Sequence, residues 1–189
     1  MKKLFSILVF SIMMFAGVGS SFAATHTVSK GETYWKISVN YGVPVKSLMA
    51  ANNAKSSYLL IGQKLSIPAS TVTSSEKDLL ARLVEAEAKG EPYAGKVAVA
   101  TVILNRVDSN LFPNSVNGVI YESGQFTPVS NGQINQAASA ASKLAVNEAL
   151  AFRGQGSGSL YFYNPSKTTN TWLRSKAVTT RIGNHVFAK

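Results

Sequence analysis

The spacing of hydrophobic and polar positions changes along this chain, and each change marks an element. Leu4 to Phe15 is an almost unbroken apolar run, interrupted by Ser6 and Ser11 and preceded by Lys2 and Lys3. His26–Val28 and Gly62–Pro68 are β-prone, the second with the period of two of a strand. Between them, Trp35, Ile37, Ser38 and Tyr41 share one face of a short helix. Thr33 precedes that helix as its N-cap and Gly42 ends it. A second helix starts at Pro44, carries Val45, Leu48 and Met49, and breaks at Asn52-Asn53. Residues 26–69 are therefore expected to fold as strand, helix, helix, strand. Pro68 to Ser75 is small, polar and aperiodic, so 70–75 is expected to be a linker to a second unit over 76–189.

That second unit opens with a helical pattern, Leu79 to Lys89, for which Asp78 is the expected N-cap and Gly90 the stop. With Leu79 at zero and about 100° per residue, Leu80, Leu83 and Val84 fall near 100°, 40° and 140°. The apolar face then centres near roughly 70°, Glu87 at roughly 80° and Glu85 at roughly 240°. Glu85 is expected to be a solvated surface acid. Glu87 is expected to face apolar surroundings in the last helical turn. There burial and the negative helix end both disfavour its anion and raise its pKa. A carboxyl kept protonated near neutrality is what a glycosidase general acid requires. The competing reading is a buried structural glutamate paired with an arginine such as Arg106.

Ala94 to Val107 is apolar nearly all round and is expected to be the central helix. Gly118 to Pro128 reads as an irregular strand and loop, and Ala137 to Ala151 as an Ala-rich helix with Glu148 on its surface. Leu160 to Pro165 is β-prone, Trp172 sits on a Thr-rich loop, and Arg181 to Phe187 is expected to be a closing strand. Aromatics beside amides, namely Gln125, Phe126, Tyr163, Asn164 and Trp172, suit a sugar-binding cleft. His185 is either a further cleft residue or a satisfied structural histidine.

Composition narrows the chemistry. The 189 residues contain no cysteine and two histidines, His26 and His185. Disulfides, thiolate metal sites and cysteine nucleophiles are excluded, and a His-rich zinc site or a serine triad is disfavoured. No metal or cofactor is expected. Lys+Arg number 19 against 9 Asp+Glu, a net charge of +10. The basic residues are scattered rather than clustered, which points to an anionic wall polymer or a membrane surface and away from nucleic acid. Lys2, Lys3, the apolar run and Ser21-Phe22-Ala23 have the form of an export leader cleaved after Ala23, so 1–23 is expected to be a signal peptide. The apolar run is short for a membrane span, and no stable span is expected after cleavage.

Two resemblances sharpen this reading. His26-Thr27-Val28-Ser29-Lys30-Gly31-Glu32-Thr33-Tyr34-Trp35-Lys36-Ile37, then Tyr41-Gly42-Val43, Leu48, Asn52 and Ile61-Gly62-Gln63-Lys64-Leu65-Ser66-Ile67-Pro68, resemble a LysM module. The resemblance implies a βααβ fold that binds N-acetylglucosamine-containing glycans. It places the groove between Gly31, Glu32, Thr33 and Tyr34 on one side and Tyr58, Leu60 and Ile61 on the other. Tyr34 reads equally as core or platform, and Trp35 as core. Ala86-Glu87-Ala88-Lys89-Gly90-Glu91-Pro92-Tyr93-Ala94-Gly95, Val97 to Val107, Gly124-Gln125-Phe126-Thr127, Tyr161 to Pro165 and Ile182 to Phe187 resemble the SleB/CwlJ-type cell-wall hydrolases. That family has a small α+β domain related to lytic transglycosylases, and its catalytic glutamate maps onto Glu87.

The expected protein is a secreted, wall-associated monomer that cleaves the β-1,4 bond between N-acetylmuramic acid and N-acetylglucosamine. Beyond Asp108 the acids are Glu122 and Glu148, and this scarcity favours a route using one glutamate. The alternatives are a non-catalytic peptidoglycan-binding wall protein and a peptide-cleaving amidase.

Overall fold

A computed structural model of the protein describes residues 22–189. The expected leader, 1–23, lies outside these residues except for its last two. Strand β1 (Phe22–Thr27) pairs antiparallel with β2 (Lys64–Pro68), with His26 opposite Leu65 and Ala24 opposite Ile67. Helices α1 (Tyr34–Tyr41) and α2 (Val45–Ala51) lie between them in the chain. Thr33 caps α1 by accepting from Lys36 N, and Gly42 ends it at φ +60. The Asn52 side chain donates to Leu48 O and Ser66 O and accepts from Ser66 N, each at 2.8 Å, which ties the end of α2 to β2. Val28, Tyr34, Ile37, Val43, Leu48, Leu65 and Ile67 form the core of this unit. Trp35 departs from expectation. It is 38% exposed and meets Phe152 of the second unit edge-on at 6.3 Å.

The expected linker is not free. Ser70 Oγ donates to Gly42 O, and Val72 is buried in the core of the second unit. Thr73 begins α3 (Ser74–Glu87) through a reciprocal capping box with Glu76, so the cap lies five residues before the expected one. Asp78 lies inside the first turns and pairs with Arg82 at 3.0 Å. The capping box wins because it satisfies two backbone donors at once. Thr73→Ala is expected to cost about 1 kcal/mol, read as a shift of the urea midpoint.

Helix α4 (Tyr93–Val107) is central, as its all-round apolar character predicts. It packs against α3, α5 (Val116–Tyr121) and α7 (Ala140–Phe152). Leu80, Leu83, Val99, Ile103, Ile120, Leu150 and Phe187 are among the core side chains. Three expectations are corrected. Gly118–Pro128 contains no strand: Ser115 caps α5, and a short α6 (Thr127–Ser130) follows. Val119 and Ile120 are β-prone, but a helical turn places both in the core, and packing outweighs propensity. The closing strand is a hairpin of β4 (Val178–Ile182) and β5 (His185–Ala188), turning at Gly183. Strand β5 lies between β3 (Tyr161–Tyr163) and β4, antiparallel to both. Trp172 sits on a short helix, α8 (Thr171–Arg174), rather than a loop. The whole is α+β. No helix among the described residues is long and apolar enough to cross a membrane.

Candidate active site

Glu87 is the last residue of α3 and points into a cleft of about 1170 Å³. The cleft is built where the end of α3, the Gly124–Thr127 segment, β3 with the loop after it, and the β4–β5 turn converge. Burial raises the Glu87 carboxyl above its ordinary range, and Lys167 offsets part of that rise. No salt-bridge partner reaches Glu87 among the described residues. Arg106 does not pair with it: its Nε donates to Leu160 O and its Nη1 to Gln125 Oε1. The guanidinium lies 4.7 Å from the centre of Phe112 and 5.5 Å from that of Phe126. Arg106 is thus a buried pillar that holds aromatic rings and Gln125 in place. The bond from Arg106 fixes Gln125 Oε1 toward the guanidinium and so orients the amide in the cleft.

Gln125, Phe126, Tyr163, Asn164, Trp172 and His185 all line this cleft with Glu87. Asn164 Oδ1 accepts from Ser166 N, a turn that brings Lys167 to the cleft wall. Trp172 is 54% exposed, meets Tyr161 edge-on at 5.2 Å, and lies 4.0 Å from the Lys176 ammonium. His185 is buried, contacts Phe162 edge-on, and has no partner for Nδ1. Burial lowers its pKa, reinforced by Lys167 and opposed by Glu91, so it is neutral near pH 7.

Sequence reasoning missed Glu91. This second cleft carboxylate follows Glu87 by one helical turn's spacing but lies outside α3. Its Oε2 accepts from Asn184 N at 2.9 Å and its Oε1 from Asn184 Nδ2 at 3.1 Å. Burial alone would raise its pKa, but these hydrogen bonds, with His185 and Lys167, hold it below the usual range. Both oxygens are therefore engaged in clamping the β4–β5 turn. Gly183 makes the clamp possible: at φ +56 any Cβ would overlap Glu91 Oε2. Nothing in the helical pattern could reveal a bond across 93 residues of chain. Glu85 also differs from expectation. It is only partly exposed and accepts from Ser139, Ser142 and Lys96.

In the first unit, Glu32 Oε2 accepts from Ser29 N and His26 Nε2, both at 2.7 Å, fixing the loop that carries Gly31 and Thr33. Gly62 N donates to Val28 O, which brings the loop of Tyr58, Leu60 and Ile61 beside the first. These three side chains are 74%, 59% and 71% exposed and form an apolar patch. Tyr34 is buried in the core, so its ring is no platform. Among the described residues no group of three or more His, Asp or Glu side chains could hold a metal ion.

Comparison with known proteins agrees with this architecture. Residues 26–68 match the LysM domain. The spore cortex-lytic enzyme of Bacillus subtilis is 45% identical over 111 residues, 59% of this chain and 36% of that protein. The corresponding enzyme of Halalkalibacterium halodurans is 43% identical over 115 residues, 61% of this chain and 35% of that protein. The chain thus spans about a third of the length of these relatives. Among solved structures, the catalytic domain of the germination-specific lytic transglycosylase SleB from Bacillus anthracis aligns with a TM-score of 0.60 and 40% identity. That alignment covers 64% of this chain and 99% of the domain. Residues 90–188, more than half of the chain, match the cell wall hydrolase family, and the chain belongs to that family.

Proposed function

We propose that this chain is an exported enzyme that cleaves the glycan backbone of peptidoglycan between N-acetylmuramic acid and N-acetylglucosamine. We further propose that Glu87 is its one catalytic carboxylate. The LysM unit and the family of the second unit make peptidoglycan the polymer it binds, and the relatives' names supply the class of reaction. The units are 26–69 for binding and 76–189 for cleavage, joined through 70–75, with 1–23 as the export leader.

The observation that carries the proposal is a protonatable carboxyl, unpaired among the described residues, facing an aromatic and amide-lined cleft. Glu87 protonates the leaving glycosidic oxygen. Inverting and retaining hydrolysis each need a second free carboxylate. The second cleft carboxylate, Glu91, has both oxygens committed to Asn184. The muramic acid 6-hydroxyl then serves as the nucleophile, and the Glu87 carboxylate accepts its proton, closing a 1,6-anhydro ring. Gln125, Phe126, Tyr163, Asn164 and His185 hold the sugars. Tyr58, Leu60 and Ile61, with the loop of Gly31, Glu32 and Thr33, grip the strand elsewhere.

Mass spectrometry of digested sacculi tests the route. Anhydro-muramic ends are expected, and exclusively reducing, hydrated muramic ends would overturn the one-glutamate chemistry.

A further inference from the structure

Helix α7 is packed on by both α1 of the LysM unit and α3 of the catalytic unit. Helix α1 begins in the glycan loop, with Thr33 as its cap, and α3 ends at Glu87. A single helix therefore supports the element that carries the binding loop and the element that carries the acid.

The contact is built rather than incidental. Lys77 of α3 is half-buried and donates to Tyr41 O and Gly42 O, two carbonyls at the C-terminal end of α1. A cation there also meets the negative end of the helix dipole. The two units approach so closely at Gly42 that a Cβ would lie 2.7 Å from Lys77 Nζ and 2.8 Å from Asn147 Oδ1. On the flank of α1, the Trp35 ring packs edge-on against Phe152, the last residue of α7. Lys46 Nζ donates to Gly154 O at 3.0 Å. Arg153 forks onto Asp108 and also donates to Thr71 Oγ1, pinning the connecting segment. Burial pushes the Lys77 ammonium down from its ordinary range, as expected of a group committed to this interface.

We infer that the LysM unit is docked rigidly on the catalytic unit, so that one glycan strand is gripped and cut at a fixed spacing. The functional half of this inference rests on the glycan-cleaving reading above. A flexible tether would let the two sites sample many separations, and cuts would fall at any distance from the gripped sugar. A docked unit sets that distance, and fragment lengths cluster.

The absence of cysteine makes a direct test clean. Spin labels on Lys55→Cys and Asn117→Cys, both exposed and one on each unit, report the inter-unit distance. A single narrow distribution is expected. Adding Lys77→Met and Trp35→Ala, or a flexible glycine-serine insert between Ser70 and Thr71 with Lys77→Met, should broaden it roughly twofold or more. In the unlabelled proteins, the same changes should spread the fragment lengths released from sacculi and leave the rate on short soluble glycan oligomers unchanged. A broad distribution in the parent protein overturns the docking. A narrow distribution with fragment lengths that the loosened variants do not alter overturns the fixed spacing. Narrow distances with no glycan cleavage by the parent would sink the enzymatic reading and leave the docking standing.

Discussion

Replacing Glu87 by Gln should abolish lysis while leaving the folded protein intact and still able to bind the wall. One side chain is asked to give a proton and then take one, and general acid–base catalysis contributes about 10²–10⁴-fold per group. A fall of roughly 10³-fold or more in turnover is expected on that scale. Stability moves the other way. The carboxyl's pKa is raised above 4.5 in the folded state by burial. Its ionisation therefore opposes folding once the pH exceeds the unfolded value, and the penalty grows until the folded group also ionises. Glutamine removes that penalty, so the variant should melt at or above the parent temperature at neutral pH and match it below about pH 4. Pull-down on purified sacculi should be unchanged, because Tyr58, Leu60 and Ile61 lie on the other unit. Parent-like lysis by Glu87→Gln would end the assignment. Lys167 supplies a second handle, since it pulls the Glu87 pKa down. Lys167→Met should shift the alkaline limb of the activity profile to higher pH.

Much of this site was legible because helical period is a local property. Glu87 falls on the apolar stripe defined by Leu79, Leu80 and Leu83, and the structure points it into the cleft. The same wheel misplaces Glu85, for a reason it contains no information about. A helical wheel gives a direction but not what covers it. The side of α3 that carries Glu85 meets α7 and its cap Ser139, with Ser142 and the buried Lys96. Glu91 was illegible for the same reason, since its meaning lies in Asn184 near the other end of the chain. Gly183-Asn184 is a two-residue hairpin signal between β-prone runs, and a strand taken from Arg181 onward hides it because most of β4 lies before that residue. Thr73 was passed over because Ser and Thr fill the whole stretch before Glu76, and only a reciprocal bond singles out the residue that caps.

The misread acid carries the second large effect. Glu85 Oε2 accepts from the Ser139 and Ser142 hydroxyls and from Lys96 Nζ at 3.3 Å. Lys96 is buried on α4, and Ser139 and Ser142 are the cap and first turn of α7. One carboxylate thus joins three of the helices that form the core, α3, α4 and α7. The two serine hydroxyls, with Lys96 nearby, outweigh burial and hold its pKa at about 2 against an ordinary 4.5. The folded value is depressed, so the stabilisation is fully present above about pH 4.5 and is lost as the pH falls toward 2. Allowing for solvent screening at the open Ser139 edge, that contribution is about 2 kcal/mol. Glu85→Ala should cost more, about 3 kcal/mol, because the Lys96 ammonium stays buried without its counter-charge. Urea unfolding from pH 7 to 2 separates the two effects. The parent should weaken steeply below pH 4.5, whereas Glu85→Gln should start weaker and fall less over the same range. The double variant Glu85→Gln with Lys96→Met should recover part of the loss at pH 7, since replacing both charges removes the stranded cation. Equal acid sensitivity in the parent and Glu85→Gln would show that the three-helix junction does not depend on this carboxylate.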